Sequence, residues 1–140
     1  MLIETPASLD KQTPKTTIDE YTILKRLGKG AFCKVKLARD SQGNYFAIKM
    51  PIKSGKMQNQ DIKGMIKEID IMRGLDHPNI LKTLAIRHNG IYTKKDGSQR
   101  TVFYSVLELA RRGELYEYVA SGGSFSVEIT RAYFKQLISS

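Results

Sequence analysis

The chain has 140 residues, room for one domain, and 41% of them are hydrophobic, an ordinary share for a sequence that buries a core. Its 23 Lys and Arg against 14 Asp and Glu give a formal charge of +9; 21 of those bases and 10 of those acids, a net +11, fall after residue 20. One cysteine excludes an internal disulfide, and there is no signal-peptide apolar core, myristoylation start or apolar run of membrane-spanning length, so no membrane partner and a cytoplasmic or nuclear compartment are expected.

Residues 1–20 are polar and punctuated by Thr5-Pro6 and Thr13-Pro14, which reads as a disordered lead-in. An apolar run from Tyr21 to Leu27 then enters a glycine turn, Leu27-Gly28-Lys29-Gly30-Ala31-Phe32-Cys33-Lys34-Val35. Val35 and Leu37 alternate on the way out, Asp40-Ser41-Gln42-Gly43 makes a hairpin turn, and Tyr45 to Met50 reads as a third strand ending in Ala47-Ile48-Lys49. Gly28 and Gly30 lack Cβ, so backbone N–H groups in the turn can approach phosphate oxygens without a side-chain clash. Cys33 stands where a G-x-G-x-x-G pattern has its third glycine; it reads as a tolerated small residue near the phosphates, a mild modulator and not a nucleophile. A strand follows the turn where a dinucleotide-binding fold would place a helix, and that order separates this chain from such folds.

Lys53 to Gln60 is polar and reads as a loop. From about Asp61 to Leu75 the apolar residues Ile62, Met65, Ile66, Ile69 and Met72 recur at helical spacing, with Glu68 at the edge of their stripe and Gly64 as a weak point. Leu75-Asp76-His77-Pro78 ends the helix, because the residue before proline is pushed out of helical geometry, and His77 reads as a packing and hydrogen-bonding residue. Ile80 to Arg87 and Val102 to Leu109 read as strands, joined by a long basic connection from Ile91 to Arg100 that centres on the hairpin signal Asp96-Gly97. Glu114 to Val119 is a short helix, Ser121 to Ser124 a loop, and Ser126 with Glu128 opens a last helix that carries Ile129, Tyr133, Leu137 and Ile138 and has no Gly, Pro or closing charge as a stop.

Taken in order, the glycine turn, Ala47-Ile48-Lys49, the helix with Glu68, His77-Pro78-Asn79-Ile80, Val106-Leu107-Glu108-Leu109-Ala110 and Gly113-Glu114-Leu115 resemble the eukaryotic-type protein kinase family, and its serine/threonine members more than its tyrosine members. The resemblance runs from about Tyr21 to Ser140, roughly the first half of a kinase domain. It implies an α+β fold: a five-stranded antiparallel amino-terminal lobe with one packed helix, the family's αC, and a hinge (21–110), then the first helices of an incomplete carboxy-terminal lobe (111–140). It also implies ATP. Leu27 and the stretch Gly28, Lys29, Gly30, Ala31, Phe32, Cys33 and Val35 would cover the phosphates, and Val35 with Ala47 would sandwich the adenine. Lys49 would bind phosphate and Glu68 would orient it. Leu107 matches the gatekeeper, Glu108 C=O and Ala110 N–H would face the adenine edge, Glu114 would reach the ribose, and Met72 matches a regulatory-spine position.

The family's His-Arg-Asp loop, Asp-Phe-Gly and Ala-Pro-Glu, which supply the catalytic base and the magnesium ligands, do not occur in these 140 residues. The expectations that follow are no catalytic residue and no metal ligand here, Mg2+ only with the missing carboxy-terminal lobe, a protein substrate for the full-length kinase, and no phosphotransfer by this chain alone. The competing reading is a complete, non-catalytic, pseudokinase-like module that binds nucleotide or a partner. No aromatic-interleaved basic motif is present, so the positive charge reads as solvated Lys and Arg around a nucleotide site, with no nucleic-acid partner. Ile129, Tyr133, Phe134, Leu137 and Ile138 form a broad apolar face suited to a lobe beyond Ser140, which makes 113–140 the stretch expected to move or self-associate.

Overall fold

The computed structural model describes residues 14–52 and 59–140. Its elements in chain order are β1 (Thr17–Ile18), β2 (Tyr21–Lys29), β3 (Cys33–Arg39), β4 (Tyr45–Pro51), α1 (Asn59–Arg73), β5 (Thr83–Thr93), β6 (Gln99–Leu107), α2 (Leu115–Gly122) and α3 (Val127–Ile138). Every strand pairing is antiparallel, in the order β1-β2-β3-β4-β6-β5, and β1 pairs with β5 as well as β2. The five strands β2–β6 and α1 are the α+β lobe expected from the sequence. The two-residue β1 joins the sheet's ends and closes it into a barrel.

Side chains alternate across a strand, so the register sorts this sheet into two faces. Ala38, Ile48, Met50, Val102, Tyr104 and Val106 fill the barrel with Ile18 and Tyr92, and Ile23, Phe46 and Ala85 pack against them. The outer face carries Val35, Ala47, Lys49, Phe103, Ser105 and Leu107. Helix α1 lies on part of that face through Met65 and Ile69, which are buried with Phe103 in a second cluster that Cys33, Ile66 and Ile86 flank. Met65 and Ile69 are four residues apart and so share one side of the helix.

The structure departs from the sequence reading at several boundaries. Residues 17–20 belong to the fold and not to a disordered lead-in: Ile18 is fully buried, and Asp19, at φ 44°, turns the chain into β2. One buried side chain in a polar stretch leaves no periodic signal. Thr5-Pro6 and Thr13 lie outside the described residues. Residues 59 and 60, expected in the loop over 53–60, belong to helix α1, and residues 53–58 lie outside the described residues. Strand β5 begins at Thr83 and not Ile80, because Ile80 N–H bonds His77 C=O at 3.1 Å in a turn. It then runs to Thr93, and β6 starts at Gln99, so half of the expected connection is ladder; the turn itself is closed by Lys94 N–H to Ser98 C=O at 2.9 Å. A bulge between Arg87 and Gly90 interrupts the alternation and hides the second half of β5 from a period-two reading. Strand β6 ends at Leu107, since Glu108 N–H turns to Lys82 C=O at 2.9 Å.

Helix α2 runs three residues past Val119, to Gly122, and Gly123 at φ 79° closes it by donating to Val119 C=O. Ser126 caps α3 by accepting from Ile129 N–H, and Ser139 N–H donates to Lys135 C=O at its end. Neither helix buries a residue; Tyr116, Val127, Phe134, Leu137 and Ile138 are among their exposed apolar side chains. Asn79 ties α3 to the turn before β5, its amide donating to Gln136 C=O at 3.1 Å and Ser139 Oγ at 3.0 Å. Among the described residues no helix is long and apolar enough to cross a membrane.

Candidate functional site

Two rows of residues cross the outer face of the sheet. Gly28 pairs with Val35, Val35 with Lys49 and Lys49 with Ser105; one step along, Leu37 pairs with Ala47, Ala47 with Leu107 and Leu107 with Thr83. Residues distant in sequence, from the glycine turn to the end of β6, are thereby adjacent on one surface. Ile48 and Met50, both fully buried inside the barrel, hold β4 from the opposite face and leave Lys49 on the outer one. There its ammonium lies 2.6 Å from Glu68 Oε1 of α1. Glu68 precedes the buried Ile69 and follows Met65 by three residues, so the contacts that seat α1 also aim its carboxylate at β4. The pair is not sealed from water: the Lys49 side chain is 23% exposed and that of Glu68 56%.

At the other end of the row the chain turns between β2 and β3. Gly30 N–H bonds Cys33 C=O at 2.7 Å, and Ile52 N–H bonds Phe32 C=O at 2.9 Å. Neither Gly28 nor Gly30 has a positive φ. A Cβ built on Gly28 meets nothing within 4 Å, and one on Gly30 meets only Cys33 O at 3.7 Å. The fold itself therefore has no steric need for glycine at either position. What the missing Cβ atoms leave is open space beside the backbone, in the row that leads to Lys49. Leu27 and Phe32 stand exposed around this space. Cys33, at the end of the turn, packs toward α1. Its Sγ lies 3.5 Å from Met65 Sδ at the edge of the α1 cluster, a packing position that joins the turn to the helix carrying Glu68.

At the end of β6, Leu107 sits beside Ala47. The Glu108 carboxylate accepts from Lys82 N–H at 3.2 Å, and Lys82 Nζ lies 2.8 Å from Asp76 Oδ1. The hydrogen bond from Lys82, reinforced by its charge, holds the Asp76 carboxyl below its usual range and raises the lysine's pKa in turn. Ala110 is exposed, and Glu114 is the N-cap residue of α2 with no side-chain cap hydrogen bond, which leaves its carboxylate out of the helix end. Met72 is half-buried on α1.

Two polar atoms of this face escaped the sequence reading. Ser105 Oγ and Thr83 Oγ1 are buried with no hydrogen-bond partner, Ser105 next to Lys49 and Thr83 next to Leu107. Ser and Thr within a strand give no sequence signal of this kind, because only the register shows which neighbours they have. Among the described residues no group of three or more His, Cys, Asp or Glu side chains could hold a metal ion.

The protein kinase domain family model matches residues 21–140. Human NUAK family SNF1-like kinase 2 is 36% identical over 119 residues, which is 85% of this chain and 17% of that protein. CBL-interacting protein kinase 26 of Oryza sativa subsp. japonica is 40% identical over 124 residues, 87% of the chain and 23% of the protein. CBL-interacting serine/threonine-protein kinase 9 of Arabidopsis thaliana is 30% identical over 131 residues, 91% and 27%. The chain therefore spans about a quarter or less of the length of these relatives.

Proposed function

Because the chain belongs to the protein kinase family, we propose that residues 21–140 form the ATP-binding part of a kinase that phosphorylates serine or threonine hydroxyls of protein substrates. The observation that carries this reading is the Lys49–Glu68 ion pair, 2.6 Å long, on the same sheet face as the open space beside Gly28 and Gly30. When bound, ATP supplies the phosphoryl group. Lys49 holds its phosphates and Glu68 holds Lys49; a lysine without that carboxylate would sample many rotamers, and positioning is most of what phosphoryl transfer asks of a protein. Backbone N–H groups from Gly28 to Phe32, with Leu27, Lys29 and Ala31 around them, cover the phosphates. Val35 and Ala47 offer apolar surface to the adenine with Leu107 at its back, Glu108 C=O and Ala110 N–H meet its polar edge, and Glu114 reaches the ribose. Cys33 contributes through its packing on Met65. Magnesium and the substrate hydroxyl would be served by groups other than these, so no turnover is assigned to these residues alone.

The test is a titration of the 140-residue chain with ATP by calorimetry, repeated with Lys49→Met and Glu68→Gln. Lys49→Met is expected to weaken binding about tenfold or more, equivalent to about 1.4 kcal/mol, and Glu68→Gln by less. Unchanged affinity in Lys49→Met would refute the assignment of this face. Incubation with labelled ATP and a generic protein substrate is expected to give no transfer, and transfer that persists in Lys49→Met would refute the proposed role of the lysine.

A further inference from the structure

Toward the glycine turn, the inner face of the sheet ends in positive charge. Arg26 stands directly across from Lys36, and Lys29 across from Lys34. Like charges directly opposite one another destabilise a ladder, and here two such pairs lie close together. Lys34 and Lys36 flank Val35 in the alternation of β3, so they lie on the face opposite Val35, Ala47 and Lys49 and form no part of the site described above. Arg100, across from Tyr92 on the neighbouring hairpin, is the fifth cation. The buried Tyr92 gathers two of the five: Lys36 Nζ donates to its hydroxyl at 2.7 Å and lies 4.9 Å from the ring centroid, and the Arg100 guanidinium carbon lies 5.0 Å from the same centroid. Cation–π contacts of this length keep both charges where they are.

Among the described residues the ion pairs are Lys49–Glu68, Lys82–Asp76 and Arg87–Glu20, and none involves the five. Partial burial first, and then Lys36, Arg100, Arg26 and Lys29, push the Lys34 pKa below that of an ordinary lysine. The fold therefore concentrates repulsion that a bound anion would relieve.

We propose that Arg26, Lys29, Lys34, Lys36 and Arg100 form a second anion site, on the face of the sheet opposite Lys49, for a compact cluster of phosphate groups. A guanidinium fork and several ammonium groups suit the many oxygens of clustered phosphates better than a single carboxylate. The cluster gathers around one ring at one end of the barrel. It does not extend as a stripe that could follow a nucleic-acid backbone. Two sources share this chemistry, a multiply phosphorylated protein segment and a free polyphosphate.

The full chain is titrated at low salt with a peptide bearing two adjacent phosphoserines, with its unphosphorylated twin and with tripolyphosphate. Each titration is repeated on Lys34→Gln/Lys36→Gln, on Lys49→Met and on Lys63→Gln/Lys67→Gln, which removes equal charge from α1, the helix packed on the opposite face of the sheet. At least one phosphorylated probe is expected to bind, with the unphosphorylated twin weaker. The Lys34/Lys36 variant should weaken that binding about tenfold or more, the Lys63/Lys67 variant should leave it within about twofold, and Lys49→Met should weaken it less than the Lys34/Lys36 variant does. Binding of the phosphopeptide alone assigns a protein source, and binding of tripolyphosphate alone assigns a small molecule; binding of both establishes the chemistry of the site. No binding by either phosphorylated probe overturns the proposal. So does an equal loss in Lys49→Met, which would put the anion at the ATP-binding face, or in Lys63→Gln/Lys67→Gln, which would reduce the effect to net charge. Removing repulsion should leave the Lys34/Lys36 variant at least as stable as the parent; if it fails to fold, Arg100→Gln provides the same comparison.

Discussion

Gly90→Ala tests how the barrel is closed. Gly90 is buried at the bulge of β5 and has no positive φ, so alanine meets no backbone strain there. Its Cβ, however, would lie 2.2 Å from Tyr104 Cε1, 2.8 Å from Tyr104 Cδ1 and 2.9 Å from Asp19 Oδ2. Carbon atoms pack at about 3.5–4.0 Å, so the ring would have to retreat by more than about 1 Å. Tyr104 is fully buried, and its hydroxyl donates to Asp19 Oδ2 at 2.7 Å. The other Asp19 oxygen accepts from Ile91 N–H at 2.8 Å, and Asp19 N–H returns to Ile91 C=O at 3.0 Å. Moving the ring therefore breaks the bond that ties Asp19, after β1, to β6. Overpacking costs about 1–3 kcal/mol and loss of a hydrogen bond to a charged group about 1.5–3, which together predict a loss of about 3–5 kcal/mol. Urea unfolding of the full chain, followed by tyrosine fluorescence, measures it. Tyr104→Phe should show the hydrogen-bond part alone, and adding Gly90→Ala to it should cost only the overpacking part, so the two changes combine less than additively. A loss below about 0.5 kcal/mol for Gly90→Ala would refute this reasoning and show that the bulge yields freely.

Three further outcomes follow from the same structure. Met65→Ala empties the contact that seats α1 and should cost about 2–5 kcal/mol in urea unfolding; it should also weaken ATP binding, because Glu68 loses its fixed position, and unchanged affinity would separate the helix from the site. Ser105→Ala removes a buried hydroxyl that has no partner, so stability should hold or rise by up to about 1 kcal/mol, and a loss above about 1 kcal/mol would mean that the hydroxyl is satisfied in solution. The Asp40 carboxyl is held below its ordinary value near 3.8, first by the Asn44 side-chain amide and then by backbone N–H groups of Asn44, Gln42 and Gly43. Since the folded value is the lower one, its stabilisation is complete above the unfolded value and is lost as pH falls through the folded one. Asp40→Asn keeps an acceptor in the turn and removes the titration, so unfolding measured below about pH 4 should become less pH-dependent; an unchanged slope would refute the assignment.

Much of the candidate site was legible in the chain because its signals are local. The alternation around Lys49 and the helical stripe around Glu68 each occupy a single element, and the spacing within each already selects which side chains share a face. Helix α1 was legible for that reason, within two residues at either end. The second half of β5 was not, because a bulge breaks the period on which such a reading depends. The packing of Cys33 on Met65 was also hidden, since it depends on how α1 docks and not on any pattern around residue 33.

By itself the sequence determined the order of the elements, the glycine turn and the residue types that a nucleotide site needs, all carried by patterns within about one element's length. The tertiary structure alone decided three things: that Ile18 and Asp19 close the barrel, that Ser105 lies beside Lys49, and that Lys34 and Lys36 meet Arg26, Lys29 and Arg100 with no ion pair to any of the five among the described residues. The physical reason is register. Tyr104 and Asp19 are 85 positions apart, and Lys36 and Tyr92 56; which residues meet at such distances is set by how strands pair and how the sheet closes, and a shift of one residue would send each of these side chains to the other face.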